Sequence, residues 1–138
     1  MNIGNSVKDN LFRTALDGLS ARQRVIADNV ANVDTPDFKA SKVTFEQSLK
    51  KAYGQLKAGN PTMYKVQNGV AGPDQDPITV TPQTVTLQNT TRRNDGNNVD
   101  IDEEMLDLTN TNVTYNALIQ TTSARLSGLR NVINGGSR

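Results

Sequence analysis

The sequence predicts a mainly α protein: long N- and C-terminal helices pair as a coiled coil, and a loop-rich middle carries a short helix and a small β-hairpin. Three observations predict it. Apolar residues at both ends of the 138-residue chain follow a 4-3 alternation. Four of the five prolines fall between residues 61 and 96, so the regular runs are confined to the ends. Only 35% of residues are hydrophobic and 4% aromatic, Trp is absent, and mean hydropathy is −0.56. That apolar share is low for a self-contained globule. It suits an elongated chain, or a subunit that completes its burial by assembling.

The N-terminal helix is expected over residues 5–34. Phe12, Leu16, Leu19, Ile26, Val30 and Val33 keep the alternation, with Gln23 in the one polar slot. Such a seam is narrower than the stripe of an ordinary surface helix. Its length would be about 45 Å. Thr35-Pro36 ends it, because a residue before proline avoids helical geometry. Asn29 and Asn32 lie three apart near that end, flanking Val30 and Val33. On an isolated helix their amides would face water; with a partner alongside they can bond to it or to the turn backbone. The stretch through Phe38 and Lys39 therefore looks like a joint between a coiled coil and outer loops.

The C-terminal helix repeats the pattern. Ile101, Met105, Leu108, Asn112, Tyr115, Ile119, Thr122, Leu126, Leu129 and Ile133 step by four and three without a break. Asp100 with Glu103 has capping-box spacing, and the acids of the first turn suit the helix dipole. Asn134-Gly135-Gly136 supplies the stop. At about 50 Å this helix is longer than the roughly 30 Å diameter of a globule of this size. Polar seam residues (Gln23, Asn112 and Thr122) are either tolerated defects or selectors of register. In the middle, Thr44–Lys57 reads as a helix with Phe45, Leu49, Ala52 and Leu56 on one face. ITVT (78–81) and TVTL (84–87) alternate like two short strands, punctuated by Pro82-Gln83. The organisation is thus 1–34, 35–99 and 100–138, with the two end segments forming one assembly domain.

Chemistry is scarce. The absence of Cys and His removes disulfides, thiol nucleophiles and imidazole acid–base catalysis. No phosphate loop or nucleophile elbow is present. Asp100, Asp102, Glu103 and Glu104 could hold a divalent ion, but helix capping explains them without one. Arg92-Arg93 could touch phosphate, though no aromatic is interleaved and a solvated turn is the simpler reading. Asp95-Gly96-Asn97-Asn98 is turn chemistry. Net charge is +1, with no block basic enough for nucleic acid. No apolar run approaches the roughly 20 residues that span a bilayer, and the N-terminus lacks a signal-peptide core. No catalytic set, cofactor or metal site is expected, nor direct lipid insertion.

A heptad helix, ANVDTPDFKA (31–40), a variable middle, DGNNVDIDEEM (95–105) and a second heptad helix together resemble the flagellar basal-body rod proteins. The DGN stretch and the ending NVINGG are similar to members of the proximal rod. The family pattern has glycine and tyrosine where this chain has Asp37 and Phe38. Asp tolerates the left-handed region better than most residues, so position 37 does not need a glycine-only angle. The resemblance implies a structural, non-enzymatic subunit of the basal body in the cell envelope, exported through the flagellar type III apparatus. It implies helical polymerisation through the terminal helices, which would connect the membrane ring to the distal rod and transmit torque. Its partners would be other copies, other rod proteins, the membrane-ring protein and a rod-base adaptor. The rival readings are a sibling axial protein, a secreted coiled-coil effector or adhesin, and a polyanion-binding module using the middle lysines.

Overall fold

The computed structural model describes residues 7–57, 64–67, 70–73, 80–88, 90 and 92–135. Its elements in order are α1 (Val7–Ala31), β1 (Ser41–Thr44), α2 (Glu46–Lys57), β2 (Tyr64–Gln67), β3 (Val70–Pro73), β4 (Gln83–Thr86) and α3 (Ile101–Gly135). By rise per residue, α1 is about 37 Å long and α3 about 52 Å. The two run antiparallel: Asn29 meets Glu104, Gln23 meets Asn112, and Phe12 meets Arg125. Three polar or charged contacts thus mark the register along the pair.

α1 stops at Ala31, short of residue 34. Asn32 N donates to the carbonyls of Asp28 and Asn29, and Thr35 N donates to Asn32, so the last turn tightens before Pro36. Asp100 Oδ1 caps α3 by accepting from the N–H groups of Asp102 (3.1 Å) and Glu103 (3.3 Å). α2 begins at Glu46, two residues after the expected start. Glu46 folds back so that its Oε2 accepts from Phe45 N. Leu56 lies in α2, but its side chain falls outside the described set.

The strand pairing differs from the sequence expectation. Residues 83–86 pair antiparallel with Ser41–Thr44, in the register Ser41 to Thr86 and Thr44 to Gln83. The sequence alternation instead predicts a strand over 84–87 beside one over 78–81. Val80 of that run is buried in the core outside any strand, and residues 78 and 79 lie outside the described set. The partner strand is some forty residues away, where local alternation carries no information about pairing. A second sheet is the β2–β3 hairpin.

A small core joins α1 to the middle segment: Leu19, Val43, Phe45, Ala52 and Val80, with Leu49, Val25, Tyr115 and Leu118 packed against it. Gly18 is required there, because a Cβ would stand 2.8 Å from the Phe45 ring. Arg22, one turn further along α1, also lies over that ring, 5.0 Å from its centroid. The same guanidinium donates to the Val43 carbonyl at 2.9 Å and pairs with Glu46. Burial works to raise the Glu46 carboxyl; the Arg22 bond and neighbouring backbone N–H groups outweigh it and hold it below the ordinary value.

Candidate functional site

Two features stand out on this scaffold, a polar joint where α1, β1 and the start of α3 meet, and an uneven use of the faces of α3. The joint is built from amides. Asn29 is 1% exposed, and its side chain treats β1 as a strand would. Its Oδ1 accepts from Ser41 N at 3.0 Å and its Nδ2 donates to Ser41 O at 2.8 Å. The same Nδ2 donates to Glu104 Oε1 at 3.0 Å, tying α1 to α3. Asn32 bonds locally: its Nδ2 donates to Asp28 O, and its Oδ1 accepts from Thr35 Oγ1.

Asn97 is fully buried and closes the end of α1 from outside. Its Nδ2 lies 3.0, 3.1 and 2.8 Å from the carbonyls of Asn32, Val33 and Thr35. Its Oδ1 accepts from Val99 N at 2.7 Å. Asn98 does the same for the sheet, accepting from Ala40 N and donating to Leu87 O and Thr90 Oγ1. These amides satisfy backbone groups that a buried turn would otherwise leave unpaired. Asp37 adopts φ 58°, the left-handed angle, and its N–H donates to Asp95 O. Gly96, at φ 82°, passes so close that a Cβ would meet Asp37 Oδ1 at 2.2 Å.

Charges ring the joint. Lys42 binds Glu103 at 2.8 Å, which raises the lysine's pKa and lowers the glutamate's. Arg92 pairs with Asp100 and Glu103; Arg93 bonds to Val33 O and pairs with Asp34 and Asp95. Glu104 is different. It is 5% exposed, and burial pushes its carboxyl up against the opposing pull of the Asn29 bond. The acidic run at the start of α3 therefore serves capping, pairing and burial. Among the described residues no three ligand-type side chains come together as a metal set.

α3 faces α1 with Glu104, Leu108, Thr111, Tyr115, Leu118, Thr122, Arg125 and Leu129, all buried or half-buried. Leu108, Tyr115, Thr122 and Leu129 belong to the expected seam. Its alternate positions do not lie in this contact: Ile101, Met105, Ile119, Leu126 and Ile133 are exposed, from 39% at Ile119 to 56% at Ile133. Positions 105, 112, 119 and 126 each follow a contact-face residue by one, a rotation of about 100°. Asn112 is exposed as well, yet its Oδ1 accepts from Gln23 Nε2 at 2.7 Å, so two polar seam slots meet each other. Along α1, Leu19 and Ile26 are buried, while Phe12, Leu16, Val30 and Val33 are half-buried. Phe12 lies under Arg125, which also pairs with Asp9 at 2.8 Å. Past the joint, Thr35 and Pro36 are exposed and Phe38 half-buried.

Sequence reasoning singled out Asn29 and Asn32 but passed over Asn97, Asn98 and Glu104 as bonding residues. The only signal for the first two was an Asn pair directly after a turn glycine. The family described as "Flagella basal body rod protein" matches residues 12–39, which run from Phe12 through the joint to Lys39. The chain is 45% identical to the flagellar basal body rod protein FlgB of Borrelia hermsii, over 72% of this chain and 76% of that one. It is 30% identical to FlgB of Bacillus subtilis over 91% and 92%, and 30% identical to FlgB of Escherichia coli K12 over 89% and 90%. With matches of that length spanning both terminal helices, the chain belongs to the family of the flagellar basal body rod protein FlgB.

Proposed function

We propose that this chain is a structural, non-catalytic subunit of the proximal rod. It polymerises through α1 and α3 as one assembly domain, on which the middle segment packs through Val43, Phe45, Ala52 and Val80. The observation that carries the proposal is the exposed stripe Ile101, Met105, Ile119, Leu126 and Ile133. Exposed apolar residues recurring along one face of a helix mark an interaction site. The expected seam residues then divide by role. Phe12, Leu16, Leu19, Ile26, Val30, Val33, Leu108, Tyr115, Thr122 and Leu129 join α1 to α3 within a subunit. The stripe joins subunits, while Asn112, bonded to Gln23, ties α3 to α1 within one.

Asn29, Asn32, Thr35, Pro36 and Phe38 form the joint that aims the middle segment outward. Neighbours in this reading are other copies and other rod proteins, with the membrane-ring protein and a rod-base adaptor at the base and the type III apparatus during export. The test is Leu126→Asp combined with Ile119→Asp in a motile strain. Loss of swimming, with the purified variant keeping the circular dichroism of the parent, supports assembly through the stripe. Normal swimming overturns it.

A further inference from the structure

The helix pair carries a second apolar surface, of the opposite shape. A groove of about 570 Å³ opens between α1, β1, α2 and α3. Buried Leu19, Val43 and Phe45 form its floor, half-buried Val25 and Leu49 its apolar wall, and α3 contributes a polar edge of Asp107, Asn110 and Thr114. On α3, Asp107 lies about 60° to one side of Glu104, and Met105 lies about 100° to the other. Groove and stripe therefore flank the α1 contact on opposite sides. The stripe cannot reach the groove of its own chain, because α1 stands between them.

A molecule with an apolar ridge on one side and an apolar groove on the other pairs head to tail. Such a heterologous contact gives a closed ring where its rotation closes and an open helical polymer where it does not. Charge fixes which part of the ridge enters. Asp107 lies near Lys42 but forms no ion pair among the described residues, since Lys42 is held by Glu103. Arg130 sits on the stripe, four residues after Leu126 and three before Ile133, and is exposed with no ion pair among the described residues. The remaining acid at the groove, Glu104, is taken by Asn29, and Glu46 by Arg22.

We infer that the occupant of the groove is a second copy of this chain: the α3 ridge of Ile119, Leu126 and Ile133 seats against the α1–β1–α2 wall of its neighbour, with Arg130 paired to Asp107. This rests on the assembly reading above and specifies its geometry as heterologous.

The chain has no cysteine, so introduced thiols report without background. Basal bodies carrying Leu49→Cys with Leu126→Cys, oxidised and run without reductant, should give a ladder of multimers, and each single variant none. Asp107→Arg and Arg130→Asp should each lower incorporation into isolated basal bodies about tenfold, and the double reversal should restore it. Dimers from Leu126→Cys alone would mean that ridge meets ridge and would overturn the inference. So would the absence of both a ladder and charge rescue. If the stripe aspartates still abolish swimming in those cases, assembly through α3 stands and only the groove is rejected.

Discussion

The two ends of α3 meet opposite fates. From Ile101 to Thr111 the helix is tied to α1 and β1 by buried amides, a cap and a ring of ion pairs. From Ile119 to Ile133 the exposed stripe that also passes Ile101 and Met105 continues without those ties, and α3 meets α1 only through half-buried residues and the contact of Arg125 with Asp9 and Phe12. The first region is specified by directional bonds that only one arrangement satisfies. The second holds non-directional apolar surface that any complementary partner can cover. A chain arranged this way has a determined joint and an undetermined arm, which is what a subunit needs if neighbours are to complete it.

Removing the joint's centre should have the largest effect. Asn97→Ala leaves the Val99 N–H without its partner and takes one of two donors from the carbonyls of Asn32, Val33 and Thr35, and should cost about 3 kcal/mol. Chemical denaturation measures the loss, and amide exchange should localise it to residues 32–38. Unchanged exchange there would mean the joint is held by packing instead. Gly18→Ala should come next, at about 2 kcal/mol, because the Phe45 ring must move off α1. The added Phe45→Leu change should recover part of that cost, since the smaller side chain leaves room for the methyl.

Glu104→Gln isolates the pH dependence of the joint. With its folded pKa raised by burial, the contribution of Glu104 is full below the ordinary value of 4.5 and is lost as pH rises through the raised value. Glu103 and Glu46 act with the opposite sign, losing their contribution as pH falls through their lowered values. The difference between the parent and Glu104→Gln, followed by denaturation from pH 4 to 8, should therefore favour the variant increasingly toward neutrality. Lys42, Glu103 and Asp107 surround the site in both proteins, and Gln keeps an acceptor for Asn29. A flat difference would place Glu104 in water. Asp37→Gly should matter less. Relief of the left-handed angle is offset by added freedom of the unfolded chain, leaving a net change within about 0.5 kcal/mol.

Leu126→Asp should sharpen the contrast most. It should leave monomer stability within about 0.5 kcal/mol, because the residue packs on little, while assembly is lost. A destabilisation of several kcal/mol would show that the arm is already part of the folded subunit.

Much of this architecture is legible in the residues themselves. Apolar spacing of four and three determines that both ends are helices, because side chains must share a face at the helical period. Thr35-Pro36 and Asp100 determine where α1 can no longer continue and α3 can begin, since proline geometry and capping are local. The absence of Cys and His determines which chemistries the chain lacks. Tertiary structure decided the rest. Which of two neighbouring stripes on α3 faces α1 depends on where β1 and α2 hold α1, and positions about 100° apart carry similar apolar residues. The pairing of Gln83–Thr86 with Ser41–Thr44, and the reach of Asn97 to three carbonyls some sixty residues back, needed the folded chain. An amide has no sequence period, and its value lies in the backbone groups that folding brings to it.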